Sequence, residues 1–181
     1  MRENEPSPVR APVPAPWDVA APLVRAAQEG DTFALNDLME LLLPYVTGLC
    51  RPIAQEHAMD AVQESLIVVF RSLNGLKEPR LLYGWVRTIT VREAVRVARR
   101  VARELPVAEV ADRPGREDGE LAADVHDVLR RLSPEHRAVL TLRELHGLDE
   151  RAACELLGLP PGTVKSRLFR ARSQFRTAWT A

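Results

Sequence analysis

The chain has 181 residues, 25 basic and 25 acidic side chains and a formal net charge of zero, which is room for one large or two small domains with modest cores. Its two cysteines, Cys50 and Cys154, lie far apart in apolar helical patterns without CxxC spacing, which excludes a zinc ribbon or disulfide framework and reads as two buried free thiols. No stretch is apolar over a bilayer's width and the start lacks a secretory pattern, so the expectation is a soluble, cytoplasmic protein.

Residues 1–16 are rich in proline and alanine and read as a disordered tail. Asp18 is a plausible N-cap for a first helix through Leu23, Val24, Ala27 and Gln28. Gly30-Asp31 breaks it and caps a second, in which Phe33, Leu35, Leu38, Met39, Leu42 and Val46 recur at helical spacing and Pro44 should kink or interrupt. A third helix runs over about 58–73 and stops at Asn74-Gly75, and a polar loop over 77–80 contains Pro79. A fourth, over about 81–104, carries Trp85, Ile89 and Val97 on one side and arginines elsewhere.

Residues 105–120, with Pro106, Pro114, Gly115, Gly119 and several acids, read as a flexible linker. Extended at ~3.3 Å per residue, it would reach roughly 50 Å. Beyond it, Leu121, Val125, Val128, Leu129 and Leu132 mark a fifth helix. Ser133-Pro134-Glu135 opens a sixth with an N-cap, a proline at the first position and an acid at the positive end of the dipole. Ala138, Val139, Leu142 and Leu145 form its apolar face. No segment alternates with period two, so the predicted fold is all-α, in two small helical domains joined by the acidic linker.

Residues 148–172 write two short helices with a tight turn between them. Gly158 ends the first, and Pro160-Pro161 forbids its continuation. The second opens with Gly162-Thr163, Thr163 serving as N-cap, and presents Lys165, Arg167, Arg170 and Arg172 without an acid among them. Val164 and Leu168 would anchor its inner face, with Phe169 close by. A helix–turn–helix with a basic second helix suits a DNA major groove. Charge is segregated along the whole chain: residues 85–103 hold six arginines against one glutamate, residues 105–128 seven acids against two arginines, and residues 163–176 five bases and no acid. Two basic stripes divided by an acidic stretch predict a chain that touches nucleic acid twice. The four histidines, 57, 126, 136 and 146, are scattered, and no Gly-rich phosphate loop or metal constellation exists. Neither enzyme activity nor a cofactor is expected, nor any metal, small-molecule substrate or membrane partner.

With these blocks in place, residues 23–176 resemble an extracytoplasmic-function (ECF) sigma factor of the two-domain sigma-70 type. The strings LSPEHRAVLTLRELHGLDERAACELLGLPPGTVKSRLFRAR, Asp60-Ala-Val-Gln63-Glu64 with Leu66 and Phe70, and Tyr83-Gly-Trp85-Val-Arg-Thr-Ile89 carry the likeness. After its tryptophan the family commonly has leucine, an Ile-Ala pair, asparagine and aspartate; here Val86, Thr90, Arg92 and Arg96 stand in those places, and Ala152-Ala153 replaces an Ile-Ala pair.

The resemblance implies that residues 17–104 form sigma domain 2 and residues 121–181 sigma domain 4. Thr163, Val164, Lys165, Ser166, Arg167, Arg170 and Arg172 would then bind the −35 element. Lys77, Arg80, Arg87, Arg92, Arg96, Arg99 and Arg100 would bind and hold open the −10 region. Asp60, Gln63, Glu64 and Phe70 would bind core RNA polymerase. Promoter DNA, core polymerase and an anti-sigma factor are the implied partners. Two other readings stand beside it: a self-sufficient helix–turn–helix repressor or activator, and a regulator-binding protein with degenerate DNA contacts.

Overall fold

Helix-forming signals and helix boundaries coincide closely in the computed structural model, which describes residues 16–104 and 120–180. Eight α-helices follow in order: α1 (Pro16–Gln28), α2 (Thr32–Ala54), α3 (Ala58–Ser72), α4 (Leu82–Glu104), α5 (Glu120–Arg130), α6 (Pro134–Leu140), α7 (Glu150–Leu157) and α8 (Pro161–Trp179). Short 3₁₀ turns precede and follow α3 and introduce α4, and a π-helical turn over Thr141–Leu145 extends α6. There is no strand among the described residues, and no helix there is long and apolar enough to cross a membrane. The expected tail and nearly all of the expected linker lie outside the described residues.

Gly30, at φ +99°, ends α1 in a conformation that costs glycine little, and the Asp31 carboxylate caps α2 by accepting from the amides of Phe33 (2.9 Å) and Ala34 (3.1 Å). Along α2, Leu38, Leu42, Val46, Leu49 and Ile53 fall on one stripe and are all fully buried. At ~1.5–3 kcal/mol each, that stripe is the main adhesive of the first four helices. It packs on Val69 of α3 and on Leu82, Val86, Val91, Ala94 and Val97 of α4, with Trp85 and Ile89 partly buried around them. Gln28 fastens α1 to the α3–α4 connection by donating to the carbonyls of Leu73 (2.9 Å) and Leu76 (2.8 Å).

Pro44 does not interrupt the second helix as expected: α2 is continuous through both Pro44 and Pro52. Both residues whose carbonyls lose a partner, Glu40 and Gly48, are on the exposed side, where water can replace the missing amide. Phe33 has helical spacing but not a helical burden, because it sits in the first turn of α2 and is 84% exposed. Cys50 is buried as expected, whereas Cys154 is only half-buried.

The last four helices form a second cluster around Val128, Leu129, Leu132, Val139, Leu140, Ala153, Val164 and Ala171. The Ser133 hydroxyl caps α6 by accepting from the His136 amide at 3.3 Å, as its sequence predicts. In the π turn the His146 amide reaches back five residues to the Thr141 carbonyl (3.0 Å). The extra residue rotates Leu145 out of the expected apolar face and leaves it 63% exposed, while Leu142 stays fully buried.

The two blocks are packed on each other rather than held by a tether alone. Ala138, Leu142 and Leu156 belong to the same apolar cluster as α2 and α4. Arg137, 9% exposed, reaches across from α6 and donates from Nε to the Ile53 carbonyl near the end of α2 (2.8 Å) and from Nη1 to the Leu132 carbonyl (3.0 Å). A guanidinium there also meets the negative end of the α2 dipole.

Candidate nucleic-acid interface

The turn between α7 and α8 is built by backbone rules before any ligand is considered. Asp149 caps α7 by accepting from the Ala152 amide at 2.7 Å. Gly158 adopts the left-handed conformation at φ +64°, and its amide and that of Leu159 both return to the Cys154 carbonyl. Pro160 is extended, and Pro161 occupies the first helical position, where it has no amide to lose and its φ is preset. The helix therefore begins two residues before Thr163. Thr163 is not its N-cap as expected: it lies in the first turn, and no side chain caps α8.

Val164 and Ala171 bury the inner side of α8 against the second cluster. Val164 is 1% exposed and so anchors the helix instead of offering surface to DNA, a correction to its place among the −35 residues. Phe169, expected near the inner face, is instead 71% exposed. It shares the outer face with Lys165, Ser166, Arg170, Arg172 and Arg176. Lys165 lies 3.5 Å from Glu150 and Arg172 lies 2.6 Å from Glu144, while Arg170 has no acidic partner within 4.0 Å among the described residues. Such pairs at the surface are weak and screened, so a phosphate can replace the carboxylate. Arg167 is different, being half-buried and facing α4.

On α4 the arginines form a second basic surface, but several are already engaged. Arg96 pairs with Glu93 at 2.5 Å and with Glu64, and Arg100 reaches the same Glu64 at 3.1 Å. The bond from Glu93, its charge and that of Glu64 together hold the Arg96 pKa above its ordinary value. Arg99 Nε lies 2.5 Å from Glu135 of α6, and Arg92 Nε donates to the Leu156 carbonyl of α7 at 3.4 Å. Arg87 is half-buried, with Nε buried and unpartnered among the described residues, and burial together with this charge lowers the pKa of His146. Lys77 and Arg80 stand exposed in the turn leading into α4. The six expected arginine and lysine positions other than Arg87 thus reach the surface, and α4 presents most of them on the side facing α6 and α7.

The expected polymerase-binding residues divide on α3. Asp60 and Gln63 are exposed, Asp60 lying 3.6 Å from His57, and Phe70 is 55% exposed. Glu64 does not share that free face, because its carboxylate is taken by Arg96 and Arg100. Met59 and Ile67, both exposed, complete an apolar stripe with Phe70 at helical spacing. Sequence reasoning passed over both. The signal was available in the apolar excess of α3, whose periodicity exceeds what one buried face requires.

Residues 122–175 match the family described as Sigma-70, region 4. The ECF RNA polymerase sigma-E factor of Haemophilus influenzae is 34% identical over 169 residues, covering 83% of this chain and 89% of that protein. The sigma-E factor of Escherichia coli is 30% identical, covering 83% and 88%. Among solved structures, the sigma factor RpoE in complex with the anti-sigma factor NepR, from Bartonella quintana, shares the fold with a TM-score of 0.61 and 23% identity, covering 81% of this chain and 96% of that one. CnrH in complex with the cytosolic domain of CnrY gives a TM-score of 0.58 at 21% identity, covering 88% and 96%. The helix–turn–helix, the arginine-faced α4 and the half-apolar α3 therefore sit in a chain matched over 83% of its length by sigma-E factors at 30–34% identity: it belongs to the ECF RNA polymerase sigma factors.

Proposed function

We propose that this chain binds core RNA polymerase and directs promoter-specific initiation, with residues 17–104 acting as sigma domain 2, residues 121–181 as sigma domain 4 and residues 105–120 as the linker between them. The outer face of α8 carries the reading. It sets Lys165, Ser166 and Arg170 on the exposed side of a helix whose inner side is fixed by Val164 and Ala171, the arrangement a helix needs to enter a major groove without unfolding its own core. Arg172 on the same face and Thr163 beside it would contact −35 bases or phosphates, whereas Arg167, half-buried and turned toward α4, would reach DNA only if the two blocks part.

Lys77, Arg80, Arg92, Arg96, Arg99 and Arg100 would hold the separated strand of the −10 region by its phosphates, with half-buried Arg87 behind them. Aromatic wedges are few on this surface, so melting would depend on a good promoter match. Asp60, Gln63 and Phe70, extended by Met59 and Ile67, form a half-apolar, half-polar patch of the kind that docks a protein helix. Core polymerase fits there, and Glu64 serves it indirectly by ordering α4. The chain carries out no chemistry of its own: nucleotide addition belongs to the polymerase. Its place of action is wherever promoter DNA and polymerase are, in the cytoplasm. One neighbour of known structure, the sigma factor RpoE of Bartonella quintana, is bound to the anti-sigma factor NepR, and a partner of that class is the corresponding proposal here.

Run-off transcription with purified core polymerase tests the reading. A product that appears only when this chain is added, from templates enriched by it out of a random promoter pool, is the expected result. Sequence-specific DNA binding by the chain alone, with no effect on polymerase, would instead identify a self-sufficient repressor or activator.

A further inference from the structure

The most conspicuous arrangement outside the outer face of α8 is the seam between the two blocks. An open cavity of ≈ 760 Å³ lies there, with Val91, Leu156 and Leu157 on its apolar lining and Arg92, Arg99 and Arg167 at its edges. Among the described residues that line the cavity, one carries a carboxylate toward those guanidinium groups, Glu135. It is placed by the rule that opens α6: Ser133 caps, Pro134 takes the first helical position, and Glu135 follows at the positive end of the dipole. From there its Oε1 stands 2.5 Å from Arg99 Nε.

We propose that Glu135 is a phosphate surrogate built into the chain, holding Arg99 in the closed arrangement so that a nucleic-acid strand must displace it before α4 is available. This rests on α4 being the strand-holding surface. The contact does not act alone. Arg92 is turned toward the Leu156 carbonyl, Arg130 of α5 pairs with Glu56 at 3.4 Å, and Arg137 clasps Ile53 from the opposite block. These contacts tie α5, α6 and α7 to the first block and so hold Glu135 against Arg99. A carboxylate and a phosphate oxygen offer a guanidinium the same charge-assisted hydrogen bond, so each excludes the other.

The Glu135–Arg99 pair is partly open to solvent, at 27% and 45% side-chain exposure, whereas Arg137 is buried. The latch therefore has a firm hinge side and a labile, salt-screened clasp. A polyanion arriving at high local concentration, as on a polymerase already engaged with DNA, would compete for the labile side first. The same geometry makes the isolated chain a poor DNA binder without any inhibitor.

The test uses the full chain and a fluorescein-labelled 20-nucleotide single-stranded DNA of mixed sequence, read by anisotropy. Glu135→Gln should tighten binding by roughly threefold to tenfold, the range set by losing one exposed ion pair. Glu155→Gln removes the same charge from the exposed Arg151 pair on α7 and should change binding less than twofold. In an Arg99→Ala background the Glu135→Gln gain should vanish, since the two act through one contact. No gain, an equal gain from Glu155→Gln, or a gain that persists without Arg99 overturns the proposal. A chain that supports run-off transcription but shows no gain loses only the surrogate; a wild-type chain that fails in run-off transcription loses the sigma reading itself.

Discussion

Arg137 offers the sharpest energetic test of how the two blocks are held. Replacing it with methionine keeps much of the aliphatic stem and removes the guanidinium that donates to Ile53 (2.8 Å) and Leu132 (3.0 Å). Hydrogen bonds from a charged donor contribute ~1.5–3 kcal/mol each. Burial opposes them: it pulls the Arg137 pKa down, while Glu56 and Glu135 push it back up, so part of the gain is spent on desolvation. Two bonds less that cost leave about 2–3 kcal/mol. At 181 residues this lowers the melting midpoint by roughly 5–10 °C. Urea unfolding should show it as a midpoint shift of about 1 M, with a smaller m as the blocks cease to unfold together. Arg137→Lys should not rescue, because one ammonium cannot fork to two carbonyls in the fixed geometry of a guanidinium. A methionine variant whose midpoint stays within ~0.2 M of wild type, with m unchanged, would show that the buried fork contributes nothing net.

Phe70→Ala and Ile67→Ala remove exposed side chains, so each should alter stability by less than ~0.5 kcal/mol while weakening polymerase capture by about tenfold; loss of fold, or unchanged capture, counts against the α3 patch. The Glu135 carboxyl titrates below its ordinary value: partial burial raises it, but its own backbone amide, Arg99 and Arg167 outweigh that. A depressed acid stabilises above its unfolded pKa and loses that contribution as pH falls through the folded value, so the melting difference between wild type and Glu135→Gln should be full at pH 6, begin to shrink as pH drops below the ordinary glutamate value of 4.5, and be lost only below the folded value. A difference constant across that window would refute it. Burial pushes the Cys50 thiol up to about 12, with a Ser65 hydrogen bond only partly opposing. Iodoacetamide at pH 8 should therefore spare Cys50 in the native chain while modifying half-buried Cys154; peptide mapping that finds Cys50 equally alkylated would contradict its burial.

Much of this architecture is legible in local sequence because its determinants are local. Gly30-Asp31, Ser133-Pro134 and Gly158 act within a few residues of themselves, and each terminates or starts a helix where its chemistry requires. Thr163 misled because a good capping side chain lost to a proline two positions earlier that needs no cap. Phe33 and Leu145 misled because periodicity registers spacing and not which turn of a helix is covered. The seam between the blocks left no periodic trace at all. Arg99 and Glu135 are 36 residues apart and Arg137 and Ile53 are 84 apart, so their meeting depends on tertiary packing alone. Glu64 illustrates the same limit: the resemblance set it beside Asp60 on a polymerase-binding face, but α4 supplies two guanidinium groups that take its carboxylate.

The π turn at Thr141–Leu145 has a consequence for chain length. One surplus residue there advances everything downstream by about 100° around the axis relative to an unbroken α-helix. That phase is what brings Glu144 to Arg172. Removing a single residue from this turn would let it relax to ordinary pitch, swing Leu145 inward and take Glu144 away from α8. Indels between Ser133 and Asp149 are therefore coupled to the azimuth of α8, and an innocuous-looking one-residue gap in this stretch would re-aim the whole motif.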